Sequence, residues 1–168
     1  MRLTAHALRT IGPAITAFTD ERRKEFARRG FDYLARSQRP DGSWLPLWFG
    51  NQHAPPDENA TYGTARVLAA YRDLDKMTSD PARRGVAWLL AAQNDDGGWG
   101  GGRGTPSSIE ETALAVEVLL DTGPAAEEAV NRGLGWLVQG VEEGGPGNPT
   151  PIGFYFAKLS RPATSPPP

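Results

Sequence analysis

Apolar and small residues recur at helical spacing in two stretches of the chain that resemble each other. The first stripe consists of Phe26, Gly30, Tyr33 and Leu34. The second consists of Gly85, Trp88, Leu89 and Ala92. Residues three, four, seven and eight positions apart share one face of an α-helix, so each stripe predicts an amphipathic helix. Because each stripe contains a glycine, we expect each helix to approach a neighbour closely there.

Each of these stripes is followed by one further stretch that also predicts a helix. From residue 62 to residue 74, one helical face carries Gly63, Val67, Ala70, Tyr71 and Leu74. Residues 107–111 (SSIEE) form a capping-box pattern ahead of residues 112–120, which are apolar almost all round and interrupted only by Glu117. Such a helix is expected to be covered on two sides by protein.

An internal repeat organises these predicted helices. The sequence RRGFDYLARSQRPDGSW at residues 28–44 returns 55 residues later as RRGVAWLLAAQNDDGGW at residues 83–99. A third, decayed copy starts at Asn131 and has Val141 and Gly147 where the first two copies have glutamine and tryptophan.

The signals at the helix ends agree with this repeat. Asp80 is predicted to cap the second repeat helix with Pro81 at its first position, and Gly123-Pro124 is predicted to open the third. Paired helices at about 50 residues per pair predict an all-α repeat array, either open or closed into an α/α toroid. No alternating strand pattern competes with this fold.

Each of the first two copies places a glutamine at the end of its helix and a tryptophan six residues later. These residues are Gln38 and Trp44, then Gln93 and Trp99. We expect a structural staple in which the indole packs over the amide, its N–H finds a carbonyl, and one helix pair is tied to the next. The alternative is a core tryptophan and an exposed glutamine that act independently. The shared spacing favours the staple.

Composition and charge exclude several classes of function. The 168-residue chain is 39% apolar, which suits one folded domain. Its 18 basic and 20 acidic residues leave no cationic excess for a phosphate backbone, so nucleic acid is not an expected partner. With no cysteine and only two histidines, neither a metal nor another cofactor is expected. No apolar run approaches the ~18 residues of a spanning helix and no signal peptide is recognisable, which predicts a cytoplasmic or peripheral membrane protein.

Several short motifs accompany the repeats in a fixed order. They are Gly42-Ser43-Trp44, Trp48, Tyr62-Gly63-Thr64, Thr105-Pro106-Ser107 and Glu111-Thr112-Ala113. With the Gln-Trp repeats, they resemble the C-terminal part of squalene-hopene cyclase, of the triterpene cyclase family, and residues 4–8 (TAHAL) are similar to that family's T-G-H-V-L motif. The resemblance implies an incomplete α/α barrel as one domain over residues 1–159. Composition predicts that the proline-rich tail, residues 160–168, is disordered.

The resemblance also implies a chemistry for which this chain lacks one part. The family folds a polyunsaturated isoprenoid such as squalene inside an aromatic-lined barrel and protonates a terminal alkene with an aspartate of a D-x-D-D motif. The chain contains no D-x-D-D; residues 73–76 (DLDK) are interpreted as a solvated helix end and Asp95-Asp96 as part of a turn. It is therefore expected to be inactive alone, as a truncated product, a fragment, or a subunit completed by an upstream half of the barrel.

Several residues receive roles from this resemblance. His6 matches a histidine that assists the catalytic acid, with an ordinary helix-end histidine as the alternative. Trp48 and Tyr62 match residues that line the cavity, and Phe154 and Tyr155 resemble the aromatic segment that closes it; core packing is the alternative for these four. The insoluble substrate implies peripheral membrane contact. A helical-repeat module that binds an isoprenoid or a partner protein without turnover is the alternative function. A zinc-dependent prenyltransferase relationship is disfavoured because cysteine is absent.

Overall fold

A computed structural model of the chain describes residues 2–14, 19–143 and 152–154. The predicted tail at residues 160–168 lies outside the described residues, as do Gly147 and Tyr155.

The regular secondary structure of the described residues is almost entirely helical, which confirms the all-α prediction. The helices are α1 (Arg2–Ala14), α2 (Asp20–Arg36), α3 (Ala60–Asp73), α4 (Asp80–Ala92), α5 (Ile109–Leu119) and α6 (Glu127–Glu142), the last preceded by a 3₁₀ turn, Pro124–Ala126. Two three-residue strands, β1 (Phe49–Asn51) and β2 (Ile152–Phe154), pair antiparallel. This pairing was not predicted, because it joins segments about 100 residues apart and each strand is too short to show an alternating pattern.

The helices form two layers of an α/α toroid. Helices α1, α3 and α5 contact one another in that order and form one layer, which we call the inner layer. Helices α2, α4 and α6, the outer layer, pack on α1, α3 and α5 respectively. Each consecutive pair is therefore a helical hairpin, and three hairpins lie side by side. The predicted array of paired helices is confirmed.

The helix starts show which cap predictions hold. Ser108 is the N-cap of α5 and its Oγ accepts a hydrogen bond from the Glu111 backbone N–H, as the capping-box pattern predicts. Helix α4 differs from its prediction. Its N-cap is Ser79, so Asp80 is the first helical residue and makes no cap hydrogen bond. The exposed Asp80 carboxylate instead pairs with Arg83 one turn later.

Glycines allow the two layers to approach closely. A Cβ on Gly85 of α4 would lie 2.7 Å from Cζ3 of Trp44, and a Cβ on Gly133 of α6 would lie 2.7 Å from Cζ3 of Trp99. A Cβ on Gly30 of α2 would lie 2.7 Å from Leu8 Cδ2 in α1. The predicted close helix contacts at Gly30 and Gly85 are confirmed.

The buried stripe predicted for α2 is only partly correct. Gly30 and Leu34 are buried, but Phe26 and Tyr33 are 37% and 43% exposed. Phe31 is buried in their place, with its ring centroid 4.7 Å from that of Tyr71 in α3. The buried face of α2 is thus rotated from the one that periodicity alone indicates, because Phe31 packs against Tyr71 of α3.

Candidate functional site

The first Gln-Trp repeat links two successive hairpins through the glutamine amide. Gln38 Nε2 donates to the Gly42 carbonyl in its own turn and to the Pro81 carbonyl in α4, both at 2.8 Å. Its Oε1 accepts from the guanidinium of Arg84. The indole N–H of Trp44 donates to the Leu34 carbonyl in α2 at 2.8 Å and so returns to its own repeat.

The second repeat reproduces this arrangement. Gln93 Nε2 donates to the carbonyls of Gly97 and Ala129 at 2.9 and 2.8 Å, and Oε1 accepts from Arg132 at 3.3 Å. The indole N–H of Trp99 donates to the Leu89 carbonyl at 2.8 Å. We call each set a Gln clasp: Gln38 with Pro81 and Arg84, and Gln93 with Ala129 and Arg132. The amide joins consecutive hairpins, while the fully buried indole closes the turn within its own hairpin.

The turns between these glutamines and tryptophans require glycine. Gly42 and Gly97 have φ of 95° and 92°. A Cβ at these positions would lie 2.7 Å from the Arg84 carbonyl oxygen and 3.0 Å from the Arg132 carbonyl oxygen. Each turn therefore packs directly against the next outer helix, α4 or α6, beside the Gln clasp.

An aromatic cluster lies between β1 and the start of α3. Phe49 and Tyr62 stack with ring centroids 4.9 Å apart and an interplanar angle of 16°. The guanidinium of Arg66 lies 5.3 Å from the Tyr62 ring centroid. Tyr62 is only 3% exposed, whereas Trp48, next to Phe49 in the chain, is 43% exposed. We call Trp48, Phe49 and Tyr62 the aromatic cluster.

The strand pair brings the backbone of Phe154 next to β1. The backbone of Phe154 pairs in register with Phe49, and Gly153 pairs with Gly50. Trp48, Tyr62 and Phe154, which are far apart in sequence, therefore lie around one short strand. The fourth residue of the set, Tyr155, lies outside the described residues.

A buried polar network connects β1, the start of α3 and the start of α5. Glu111, on the first turn of α5, is 0% exposed. Its Oε1 accepts from Asn59 Nδ2 at 2.7 Å and from Asn51 Nδ2 at 3.4 Å, and its Oε2 contacts the hydroxyl of Ser108. We call Asn51, Asn59, Ser108 and Glu111 the Glu111 network.

The remaining sequence candidates lie on α1 and in the turn of the second repeat. His6 is exposed on α1. Asp96 serves its turn: Oδ1 accepts from the Gly98 N–H and the Ser107 hydroxyl, at 2.9 and 2.8 Å, and Oδ2 accepts from the Trp136 indole at 3.2 Å.

Asp73 is an exposed residue at the end of α3, as expected, and its carboxylate is ion-paired. It accepts from Arg9 of α1 at 2.5 Å and from Arg72 at 3.0 Å, and Arg72 also reaches Glu117 of α5 at 3.3 Å. Burial alone raises the pKa of Asp73, but the hydrogen bonds from Arg9 and Arg72 outweigh burial and hold that pKa below its ordinary value. Asp73 therefore links neighbouring helices of the inner layer.

No metal or membrane feature emerges from the described part of the chain. Among those residues, no group of three or more histidine, aspartate or glutamate side chains is arranged to hold a metal ion. None of the described helices has the length and apolar character needed to cross a membrane. A cavity of about 360 Å³ lies on α4, away from the aromatic cluster, and is lined by Met77, Thr78, Arg83, Val86, Ala87, Leu90, Asp121 and Thr122.

Sequence reasoning did not single out Phe49, Arg66 or the Glu111 network. Arg66 had a signal, because it is the one charged residue between positions 60 and 71, and its buried Nε has no hydrogen-bond partner among the described residues. The sequence places Glu111 in a capping box and in the motif Glu111-Thr112-Ala113, and neither pattern predicts its buried partners. Its partners Asn51 and Asn59 are 60 and 52 residues away, and no local pattern indicates them.

The chain is similar to known cyclases along most of its length. The family model of the squalene-hopene cyclase C-terminal domain matches residues 2–153. The squalene–hopene cyclase of Zymomonas mobilis subsp. mobilis is 31% identical over 156 residues, covering 85% of this chain and 22% of that protein. The copalyl diphosphate synthase of Streptomyces cyslabdanicus is 34% identical over 160 residues, covering 86% of this chain and 27% of that protein.

A solved structure agrees with these matches. The ent-copalyl diphosphate synthase from Streptomyces platensis superposes with a TM-score of 0.67 at 29% identity, covering 82% of this chain and 26% of that one. This chain thus spans about a quarter of the length of these relatives. On its sequence and its α/α architecture alike, the chain belongs to the squalene-hopene cyclase C-terminal domain family.

Proposed function

We propose that residues 1–159 form the C-terminal part of a terpene cyclase cavity, and that this part serves the cationic polycyclisation of a linear triterpene such as squalene. The observation that carries the proposal is the position of Phe49, which stacks on Tyr62 and pairs through its backbone with Phe154. This strand gathers aromatic segments that the family places around its substrate. Aromatic faces stabilise carbocations where water is excluded.

The half-exposed ring of Trp48 is the side chain we assign to substrate contact. Tyr62 is covered by Phe49 and lies beside the Arg66 guanidinium, so its own ring supports the wall. A guanidinium beside Tyr62 also disfavours a carbocation at that ring, because like charges repel. We therefore place the isoprenoid against Trp48, with the stacked pair behind it.

The proton donor is the part that we assign to another segment of the barrel. An alkene is a very weak base, so its protonation requires a strong acid held in the right geometry. The 168 residues contain no D-x-D-D motif. The carboxylate of Asp73 is engaged by two arginines, and that of Glu111 by its network. We infer that the chain alone does not turn squalene over, and that His6 supports an acid supplied by an upstream half.

Binding and turnover of squalene by the purified chain test this proposal. Squalene is added to the full chain, binding is followed by tryptophan fluorescence, and the extract is examined for polycyclic hydrocarbons by gas chromatography and mass spectrometry. We expect saturable binding without product. Because one relative is named copalyl diphosphate synthase, a prenyl diphosphate is tested in parallel. Polycyclic product from the isolated chain overturns the assignment of the acid elsewhere.

A non-catalytic module that binds a partner protein is the second candidate. Exposed apolar side chains on the ends of α5 and on α6 favour it, since a helical face of this kind is normally covered. These side chains are Leu120, Leu134, Val138 and Val141. Absence of any binding of squalene or prenyl diphosphate favours this candidate. Peripheral membrane contact stays a prediction of the insoluble substrate, and co-sedimentation with lipid vesicles tests it.

A further inference from the structure

The Glu111 network joins two segments that carry the aromatic cluster. Asn51 is the last residue of β1, two residues after Phe49, and Asn59 is the N-cap of α3, three residues before Tyr62. Both asparagine amides donate to the same oxygen of Glu111. One carboxylate therefore bridges the end of the strand and the start of the helix.

The chemistry of the carboxylate fixes the orientation of both amides. Glu111 Oε1 accepts from both amides, so each asparagine presents its NH₂ group to this oxygen. Each amide oxygen is then turned toward the backbone. Asn59 Oδ1 accepts from the Tyr62 N–H at 3.0 Å, and Asn51 Oδ1 accepts from the His53 N–H at 2.9 Å. The cap of α3 and the turn after β1 both depend on Glu111.

The surroundings of the Glu111 carboxylate contain neutral hydrogen-bond donors and a loop that packs on the network. Among the described residues, no arginine or lysine forms an ion pair with Glu111, so neutral donors alone satisfy this fully buried group. The glycine-rich loop at residues 97–104 packs against the network. A Cβ on Gly101 would lie 2.5 Å from Asn51 Cβ, and the Gly101 carbonyl accepts from the Thr61 N–H at 3.2 Å. A buried carboxylate without such donors is strongly destabilising.

We propose that Glu111 is a positioning residue that holds β1 against the start of α3 and thereby fixes the stack of Phe49 on Tyr62. The use of that stack as the wall behind an isoprenoid rests on the proposed function above, whereas the positioning does not. Glu111 touches no substrate in this account. It acts through Asn51 and Asn59.

The substitutions Glu111→Ala and Glu111→Gln separate positioning from general stability. Alanine removes the acceptor from both asparagines. Glutamine keeps it, because its oxygen accepts from Asn51 and Asn59 while its NH₂ donates to the Ser108 hydroxyl. Leu114→Ala is the matched control, since Leu114 is a buried residue of the same helix outside the network.

Backbone amide hydrogen exchange of the full chain is the test of positioning. We expect Glu111→Ala to speed exchange in residues 49–62 at least tenfold relative to residues 85–92, Glu111→Gln to stay within about threefold of wild type, and Leu114→Ala to show no selective change there. If Glu111→Ala does not fold, Asn51→Ala is used in its place. For this variant only the exchange of the β1 amides is compared, because the His53 N–H loses its hydrogen bond to Asn51 directly. Unchanged exchange in residues 49–62, or in β1 for Asn51→Ala, overturns the proposal.

Squalene affinity, measured on the same variants, separates this proposal from the proposed function. We expect a dissociation constant at least tenfold higher for Glu111→Ala and restored by Glu111→Gln. A wild-type chain that binds no squalene but shows the exchange pattern above refutes the proposed function and supports positioning. Squalene binding with uniform exchange in all variants refutes positioning alone.

Discussion

The amide of Gln38 donates a hydrogen bond to the carbonyl of Pro81, 43 residues further along the chain, at 2.8 Å. The same contact recurs between Gln93 and Ala129, 36 residues apart and at the same distance. Each links the end of one outer helix to the first turn of the next. The hairpins are therefore joined by side chains at their outer edge as well as by packing between their inner helices.

Removing a Gln clasp is expected to destabilise the whole array. In Gln38→Ala, two carbonyls lose a donor and Arg84 loses an acceptor, which costs roughly 1–3 kcal/mol in the free energy of unfolding. Gln93→Ala is expected to have an effect of the same size. Urea denaturation followed by circular dichroism measures it, with Gln52→Ala on an exposed turn as the control. A loss at Gln38 no larger than at Gln52 contradicts the role of the clasp.

Two glycine-to-alanine substitutions are expected to change the free energy of unfolding in opposite directions. Gly85→Ala places a methyl group 2.7 Å from the buried indole of Trp44, and overpacking of this kind costs roughly 1–3 kcal/mol. Gly135→Ala, inside α6 with no atom within 4 Å of the added Cβ, is expected to stabilise the helix by about 0.5–1 kcal/mol. Thermal melting of the two variants decides the matter. A stabilised Gly85→Ala would mean that the indole does not fill this gap.

Stability in acid is expected to depend on Asp73. A carboxyl whose pKa folding lowers stabilises the native state above its unfolded pKa of about 3.9, and that contribution disappears as the pH falls through the folded pKa. Asp73→Asn should therefore be less stable than wild type at pH 7 and lose less stability on acidification. Urea midpoints between pH 7 and pH 3 test this, with exposed Asp95→Asn as the control. Equal pH slopes for wild type and Asp73→Asn contradict it.

The fluorescence response to an isoprenoid should come from Trp48. Trp48 is 43% exposed and directly precedes Phe49 of the stacked pair, so a bound chain of isoprene units is expected to change its emission. Trp48→Phe should abolish most of the change that squalene produces. Trp136→Phe, on the outer helix α6, should leave it intact. The opposite pattern moves the binding site to another part of the molecule.

Much of the fold was predictable because its signals are local. The helical stripes, the repeat at residues 28–44 and 83–99, and the glycines at the interlayer contacts all follow from short-range spacing. The exposure of Phe26 and Tyr33 was not predictable, since it depends on which face of α2 packs on α1.

The candidate site was predictable only where a family motif marked it. Trp48 and Tyr62 belong to such motifs, whereas Phe49 became part of the site through a strand pair about 100 residues apart. The Glu111 network was not predictable from the sequence for a similar physical reason. Its members come from β1, the N-cap of α3 and the first turn of α5, and only the packed hairpins bring them together.

Complementation of squalene turnover tests the central claim most directly. The chain is incubated with squalene alone, and then with a separately purified upstream part of a squalene–hopene cyclase chosen because its sequence contains a D-x-D-D motif. The account predicts polycyclic hydrocarbon only from the mixture, and a loss of at least tenfold when the chain carries Trp48→Ala. Product from the isolated chain would contradict the account, as would a yield from the mixture that Trp48→Ala leaves unchanged.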